Sequence, residues 1–251
     1  MNLGKLSATR TMGADLLDLV APRDCVACAS PGRVLCGRCG AALAASAGWT
    51  DRERVAVPVS VGGPFSGLLG EVIRAYKSGA RSLAGPLAGV LLPALRDAVE
   101  RAERGGSSAH RAEVSIVSIP ASRRAGWVRG EDILTRVVTR SVGALRREGW
   151  RVRQRPLLAP GRAVADQRGL SAQRRRVNVA GSLRLDTREV QRWAREGRSS
   201  IVVVDDVLTT GATLREAMGV LGRAMDRMMD VMDRETPVGA VIAATTPRQP
   251  G

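Results

Sequence analysis

The run Ile201-Val202-Val203-Val204 is apolar at every position. An unbroken β-branched run of this kind predicts a strand buried on both faces, as inside a parallel sheet. Asp205 and Asp206 follow at its expected C-terminal end, and then Thr209, Thr210, Gly211, Ala212 and Thr213. Leu214, Ala217, Met218, Leu221 and Met225 then recur at the spacing of one helix face. The stretch therefore reads as strand, acidic and hydroxyl-rich loop, helix.

The same reading extends along the chain. Leu16, Leu17, Leu19 and Val20 fit either a short amphipathic helix or a loosely docked terminus. Val55, Val57, Val59 and Val61 alternate as a strand, which Gly62-Gly63-Pro64 is expected to break. Leu69, Val72, Ile73 and Tyr76 predict a helix ending at Ser78-Gly79, and Leu83, Leu87, Val90, Leu91 and Leu95 a second one. Residues 114–119 (Val-Ser-Ile-Val-Ser-Ile) predict a strand ended by Pro120, with a helix over about 132–147. Residues 156–158 and 183–185 are shorter strand candidates, 189–195 a short helix, and 225–236 an extension of the helix after the acidic loop. Residues 238–244 predict a last buried strand. Strands alternating with helices imply a parallel α/β sheet.

Length and composition narrow the class. With 251 residues and 44% apolar content, the chain can bury a normal core. No apolar run approaches a membrane span, and residues 1–20 lack a secretory h-region, so a cytoplasmic protein without membrane insertion is expected. The net charge of +15 suits polyanionic partners, nucleic acid or pyrophosphate. Aromatic content of 2% is poor material for stacking bases, so charge alone does not single out nucleic acid. Among the basic residues only Lys5 and Lys77 are lysines. His110, the sole histidine, sits beside a Gly-Gly-Ser-Ser stretch and reads as solvated. No Gly-x-x-x-x-Gly-Lys phosphate loop is present, which argues against an ATPase.

All four cysteines fall in two Cys-x-x-Cys knuckles, Cys25 with Cys28 and Cys36 with Cys39. Four thiolates at this spacing can close a tetrahedral structural zinc site. Two disulfides fit a cytoplasmic protein poorly, and a redox Cys-x-x-Cys does not come as two knuckles. The expected module is a minimal zinc ribbon or knuckle of about 25 residues that leans on its neighbour. It divides the chain into residues 1–50, carrying the module, and residues 51–251.

The acidic loop carries its own chemistry. The first N–H groups of a helix lack intrahelical partners, and the helix dipole is positive there. With Gly211 and the threonine hydroxyls these make a phosphate cradle. Asp205 and Asp206 suit vicinal hydroxyls or a Mg²⁺-bound sugar. A phosphorylated sugar satisfies both halves. Arg123, Arg124 and Arg129 lie after the strand at 114–119 and suit a highly charged anion. Arg174, Arg175 and Arg176 lie in a polar stretch that reads either as a closing lid or as a basic surface loop.

The Asp-Asp-x-x-Thr-Thr-Gly-x-Thr pattern resembles the phosphoribosyl-pyrophosphate (PRPP) motif of type I phosphoribosyltransferases. The order of four-cysteine module, Tyr76-Lys77, Pro120 with Arg129-Gly130, Gln167 with Arg176 and Asn178, and the acidic motif resembles the ComF (competence protein F-like) family over nearly the whole chain. One departure is Glu131-Asp132-Ile133, where that family usually carries Phe-Asn-Gln.

The resemblance implies a type I phosphoribosyltransferase fold. It places Asp205 and Asp206 on the ribose and Thr209–Thr213 (with Thr210, Gly211 and Ala212) on the 5′-phosphate. Arg123, Arg124 and Arg129 become pyrophosphate candidates, and Mg²⁺ accompanies PRPP. The implied activity is displacement of pyrophosphate by a nitrogen acceptor that the sequence does not name. The competing expectation is a non-enzymatic protein of DNA uptake that binds single-stranded DNA or the competence helicase and senses PRPP. A regulator that binds a purine-pathway ligand is a third, and self-association into a homo-oligomer is compatible with all of them.

Overall fold

The structure, a computed structural model, describes residues 24–48, 58–105, 113–121, 133–161, 181–196, 199–228 and 237–245. The elements are α1 (Gly37–Ala45), β1 (Val59–Pro64), α2 (Gly67–Lys77), a 3-10 turn (Arg81–Leu83) leading into α3 (Ala84–Gly105), β2 (Val114–Ser118) and α4 (Ile133–Arg147). They continue with β3 (Val152–Gln154), β4 (Leu158–Pro160), β5 (Leu183–Leu185), α5 (Thr187–Arg195), β6 (Ile201–Leu208), α6 (Ala212–Met228) and β7 (Val238–Ala244).

Five strands form one parallel sheet in the order β1-β7-β6-β2-β3, and β4 and β5 form a separate antiparallel pair. The parallel α/β architecture agrees with the alternation of elements in the sequence. Successive side chains of a strand face opposite ways. Val202 and Val204 accordingly join the apolar layer under α2, α3 and α4, while Ile201 and Val203 join the layer under α5 and α6. Burial on both faces is why β6 carries no polar residue before Asp205.

Three local expectations fail. Gly62, Gly63 and Pro64 do not break β1; they are its last three residues. A Cβ on Gly62 would lie 2.6 Å from the Ile242 carbonyl oxygen and 2.7 Å from that of Val90, so glycine is what lets α3 and β7 approach. The third strand of the sheet is Val152–Gln154, with Leu158–Pro160 displaced into the small antiparallel pair. Finally, the helix Arg81–Gly105 is long and apolar enough to cross a membrane by length and composition, against the expectation from the sequence. Its Leu87, Val90, Leu91, Leu95 and Val99 are buried in the core, which accounts for that composition.

The outer edge of the sheet is held by charge. Buried Arg155 donates to Glu113 at 2.9 Å and lies 2.8 Å from Glu196, which also pairs with Arg153 at 2.7 Å. The Arg155 hydrogen bond holds the Glu196 carboxyl below the usual carboxylate range.

Two predictions follow from this packing. Gly62→Ala should lower unfolding free energy by about 1–3 kcal/mol in denaturant titration, since backbone atoms must move. Gly89→Ala, in α3 with nothing within 4 Å of the added Cβ, should be neutral or stabilising. For Glu196 the depressed carboxyl makes its contribution complete above the unfolded value of about 4, and lost as pH falls through the lower folded value. Glu196→Gln should therefore flatten the fall of stability below about pH 4, read as unfolding midpoint against pH.

Candidate functional site

The chain reverses direction across the sheet between β2 and β6. From β2 it passes through α4 to β3 on one side; from β6 it passes through α6 to β7 on the other. Such a switch point opens a crevice outside the carboxyl ends of the two strands, where ligands bind in open α/β sheets.

The two strands end at different heights. The β2–β6 ladder closes at Ser118 opposite Val204, with one further bond from the Ile119 N–H to the Val204 carbonyl at 2.9 Å. Pro120 has no N–H to continue it. β6 runs on through Leu208, carried by β7, where Asp205 pairs with Val241 and Leu208 with Ala244. Asp205 and Asp206 thus belong to the strand rather than to a loop after it, and they overhang the crevice half-buried. The Asp206 N–H donates to Asp205 Oδ1 at 2.8 Å, which fixes that carboxylate against the backbone.

The hydroxyl turn follows directly. Gly211 has φ +69°, a left-handed conformation that an L side chain would strain. α6 begins at the next residue. Thr210 Oγ1 accepts a long hydrogen bond from the Ala212 N–H at 3.4 Å, and Arg215 Nη2 donates to the Thr210 carbonyl at 2.9 Å. Thr209 is exposed, while Thr210, Ala212 and Thr213 are half-buried. The turn therefore presents hydroxyls and helix N-terminal N–H groups beside the acidic overhang, the donor-and-acceptor pairing that a sugar phosphate requires.

Two residues with no role assigned from the sequence enter this site. Lys77, the last residue of α2, places Nζ 2.5 Å from Asp206 Oδ2. Its neighbour Tyr76 donates its hydroxyl to the Ile133 carbonyl at 2.8 Å, which anchors the end of α2 to the start of α4. Arg215 pins the turn from within the first turn of α6, and its position four residues after Gly211 was the available signal.

Several predicted site residues lie outside the described residues: Arg123, Arg124 and Arg129, with Glu131 and Asp132, and Arg174, Arg175 and Arg176, with Gln167 and Asn178. So do His110, Val55, Val57, the segment at 16–20 and most of 225–236.

The cysteine cluster is a second, separate site. The four Sγ atoms lie within 4.8 Å of one another, and all four thiols are free. A tetrahedral zinc with bonds of about 2.3 Å needs sulfurs about 3.8 Å apart. Cys28 and Cys36 Sγ are 3.7 Å apart. The Cys36 N–H donates to Cys25 Sγ at 3.4 Å and lowers that thiol to about 6, while the hydrogen bond that the Cys39 thiol donates to Cys36 pushes Cys39 up to about 12. Thiolates this close repel, so all four ionise together only around a cation such as zinc. The donor set fits such an ion.

In the second knuckle Cys36 stands at the N-cap position of α1, without a side-chain cap bond, and Cys39 lies in the first turn of that helix. α1 buries Leu43 in the main core, and Val26, Val34 and Leu35 pack against the same layer. Beside the knuckle an open cleft of about 430 Å³ runs between Arg33, Val34, Leu35, the 3-10 turn at Leu83 and the start of α3 at Pro86. It holds none of the carboxylates or threonines of the carboxyl-edge site.

Compared with known proteins, the chain matches no protein-family model and no curated protein.

The cysteine geometry makes a direct prediction. Purified protein should carry about one zinc per chain by atomic absorption. Cys25→Ser or Cys39→Ser should abolish it and lower the unfolding midpoint by about 5–10 °C.

Proposed function

We propose that this chain is a PRPP-binding, ComF-like phosphoribosyltransferase of the type I fold, and that it transfers the phosphoribosyl group to a nitrogen acceptor. The observation that carries the reading is the meeting, at one topological switch point, of the Asp205-Asp206 overhang with the Thr209-to-Thr213 turn at the start of α6. The turn would hold the 5′-phosphate through N–H groups and hydroxyls. The carboxylates would accept hydrogen bonds from the ribose 2′- and 3′-hydroxyls and stabilise positive charge growing at C1 as the bond to pyrophosphate breaks. Asp205 and Asp206 would hold Mg²⁺ when it is bound with PRPP, and the ion would supply positive charge to offset that of the departing pyrophosphate. Arg123, Arg124 and Arg129 follow β2 in the sequence, which supports them as pyrophosphate ligands, and Arg174, Arg175 and Arg176 remain lid candidates. The chain would contribute position and charge rather than a covalent intermediate. A cytoplasmic location belongs to the same reading.

A second reading keeps the ligand and drops the chemistry. The knuckle exposes Cys28, Arg33 and Arg38 beside an open cleft. That basic face suits single-stranded DNA or a protein of the competence machinery, with PRPP as a sensed ligand.

Pyrophosphate release from Mg²⁺·PRPP across a panel of nucleobases and amines separates the two. Release with any acceptor supports the enzyme. No turnover, together with a single-strand DNA affinity that falls steeply with salt, supports the binding protein. In either case Asp205→Asn combined with Asp206→Asn should weaken Mg²⁺·PRPP binding at least about tenfold by calorimetry. An unchanged affinity would remove the ribose assignment.

A further inference from the structure

We infer that Lys77 makes the carboxyl-edge site selective for a two-part ligand, one that brings an anion for the lysine together with a cation or diol for Asp206. The inference rests on the PRPP reading and specifies how that site chooses its ligand.

Lys77 Nζ and Asp206 Oδ2 are in contact, with side chains 43% and 34% exposed. The ammonium therefore stands where a divalent cation or a sugar hydroxyl would have to approach. Its backbone cannot retreat easily. Tyr76 is buried and bonded to Ile133, and the end of α2 is tightened by bonds from the Gly79 N–H to the Tyr76 carbonyl and from the Ala80 N–H to that of Ala75, at 3.0 and 3.1 Å. What can move is the side chain. Lysine is a compact charge on a flexible stem, suited to trading one partner for another, whereas the planar fork of arginine favours a fixed bidentate pair. Of the 39 basic residues only Lys5 and Lys77 are lysines, and Lys77 is the one among the described residues.

The exchange has a clear sign. A divalent cation alone would take Asp206 but leave the ammonium unpaired next to it. Phosphate alone would take Lys77 but leave Asp206 uncompensated. A ligand carrying both a vicinal diol or bound cation and a nearby diphosphate replaces one charge pair with two. PRPP with its metal meets that requirement. Ribose 5-phosphate, which lacks the diphosphate, does not.

The test uses the full chain with its zinc in place and two probes: Mn²⁺ alone, followed by the electron-spin resonance of the free ion, and Mg²⁺·PRPP against ribose 5-phosphate by calorimetry. Lys77→Met should bind Mn²⁺ alone about two- to fivefold tighter than wild type, the scale of a partly exposed charge pair. Lys77→Arg should restore the wild-type value, and adding Asp206→Asn to Lys77→Met should remove the gain. The preference for PRPP over ribose 5-phosphate should fall in Lys77→Met. An unchanged Mn²⁺ affinity in Lys77→Met, or a gain that survives Asp206→Asn, overturns the inference. Wild-type protein that fails to bind Mg²⁺·PRPP overturns the proposed function instead, and the Mn²⁺ arm still decides the role of Lys77.

Discussion

The constraint on which this molecule depends is the unequal pairing of β6. On one side β7 holds it to Leu208; on the other β2 releases it after Val204. A strand paired on both flanks along its length would have its carboxylates level with a closed ladder. A strand released on both sides would fray. Support from one neighbour alone gives a rigid ledge, and Asp205 and Asp206 stand on it with Gly211 and the start of α6 directly beyond. The small residues Ala243 and Ala244 of β7 are part of the same arrangement, because they lie buried and pair with Val207 and Leu208 of this extension.

Much of the framework was legible because it is locally written. The buried strands β2, β6 and β7 are continuous apolar runs, and α2 and α3 repeat their apolar residues at helical spacing. The cysteine cluster was legible for a similar reason: spacing within a short loop nearly fixes which sulfurs can meet. β3 was not, since Val152-Arg153-Gln154 offers one apolar residue and its pairing is defined by β2. Gly62 and Gly63 were read as a strand break because glycine preference is local, whereas Gly62 allows close approach to α3 and β7, and Gly63 to Leu69 of α2 and the Ser46 carbonyl. The acidic pair was assigned to a loop because carboxylates are depleted in strands, and the β7 ladder that carries them is invisible in the local sequence.

The site itself divides along the same line. The hydroxyl turn and the acidic pair sit in one short stretch and could be read together. Lys77 could not, because its contact with Asp206 joins the end of α2 to a strand at the far end of the chain. A long-range ion pair to a motif residue leaves no mark in the motif itself. Ligand discrimination can thus reside in a residue remote from the recognisable motif, while the motif reports only the shared part of the ligand.

The hydrogen bond from the Gly48 N–H to the Gly62 carbonyl, at 3.0 Å, has a bearing beyond stability. β1 is the outermost strand of its sheet, and an uncovered outermost strand is a template for foreign chains. The segment just after α1 occupies part of that template, and α1 is in turn seated by the cysteine cluster and Leu43. Substitutions that disrupt the cysteine cluster are then expected to show themselves first as self-association along β1, in a protein whose β6–β7 ladder is still formed.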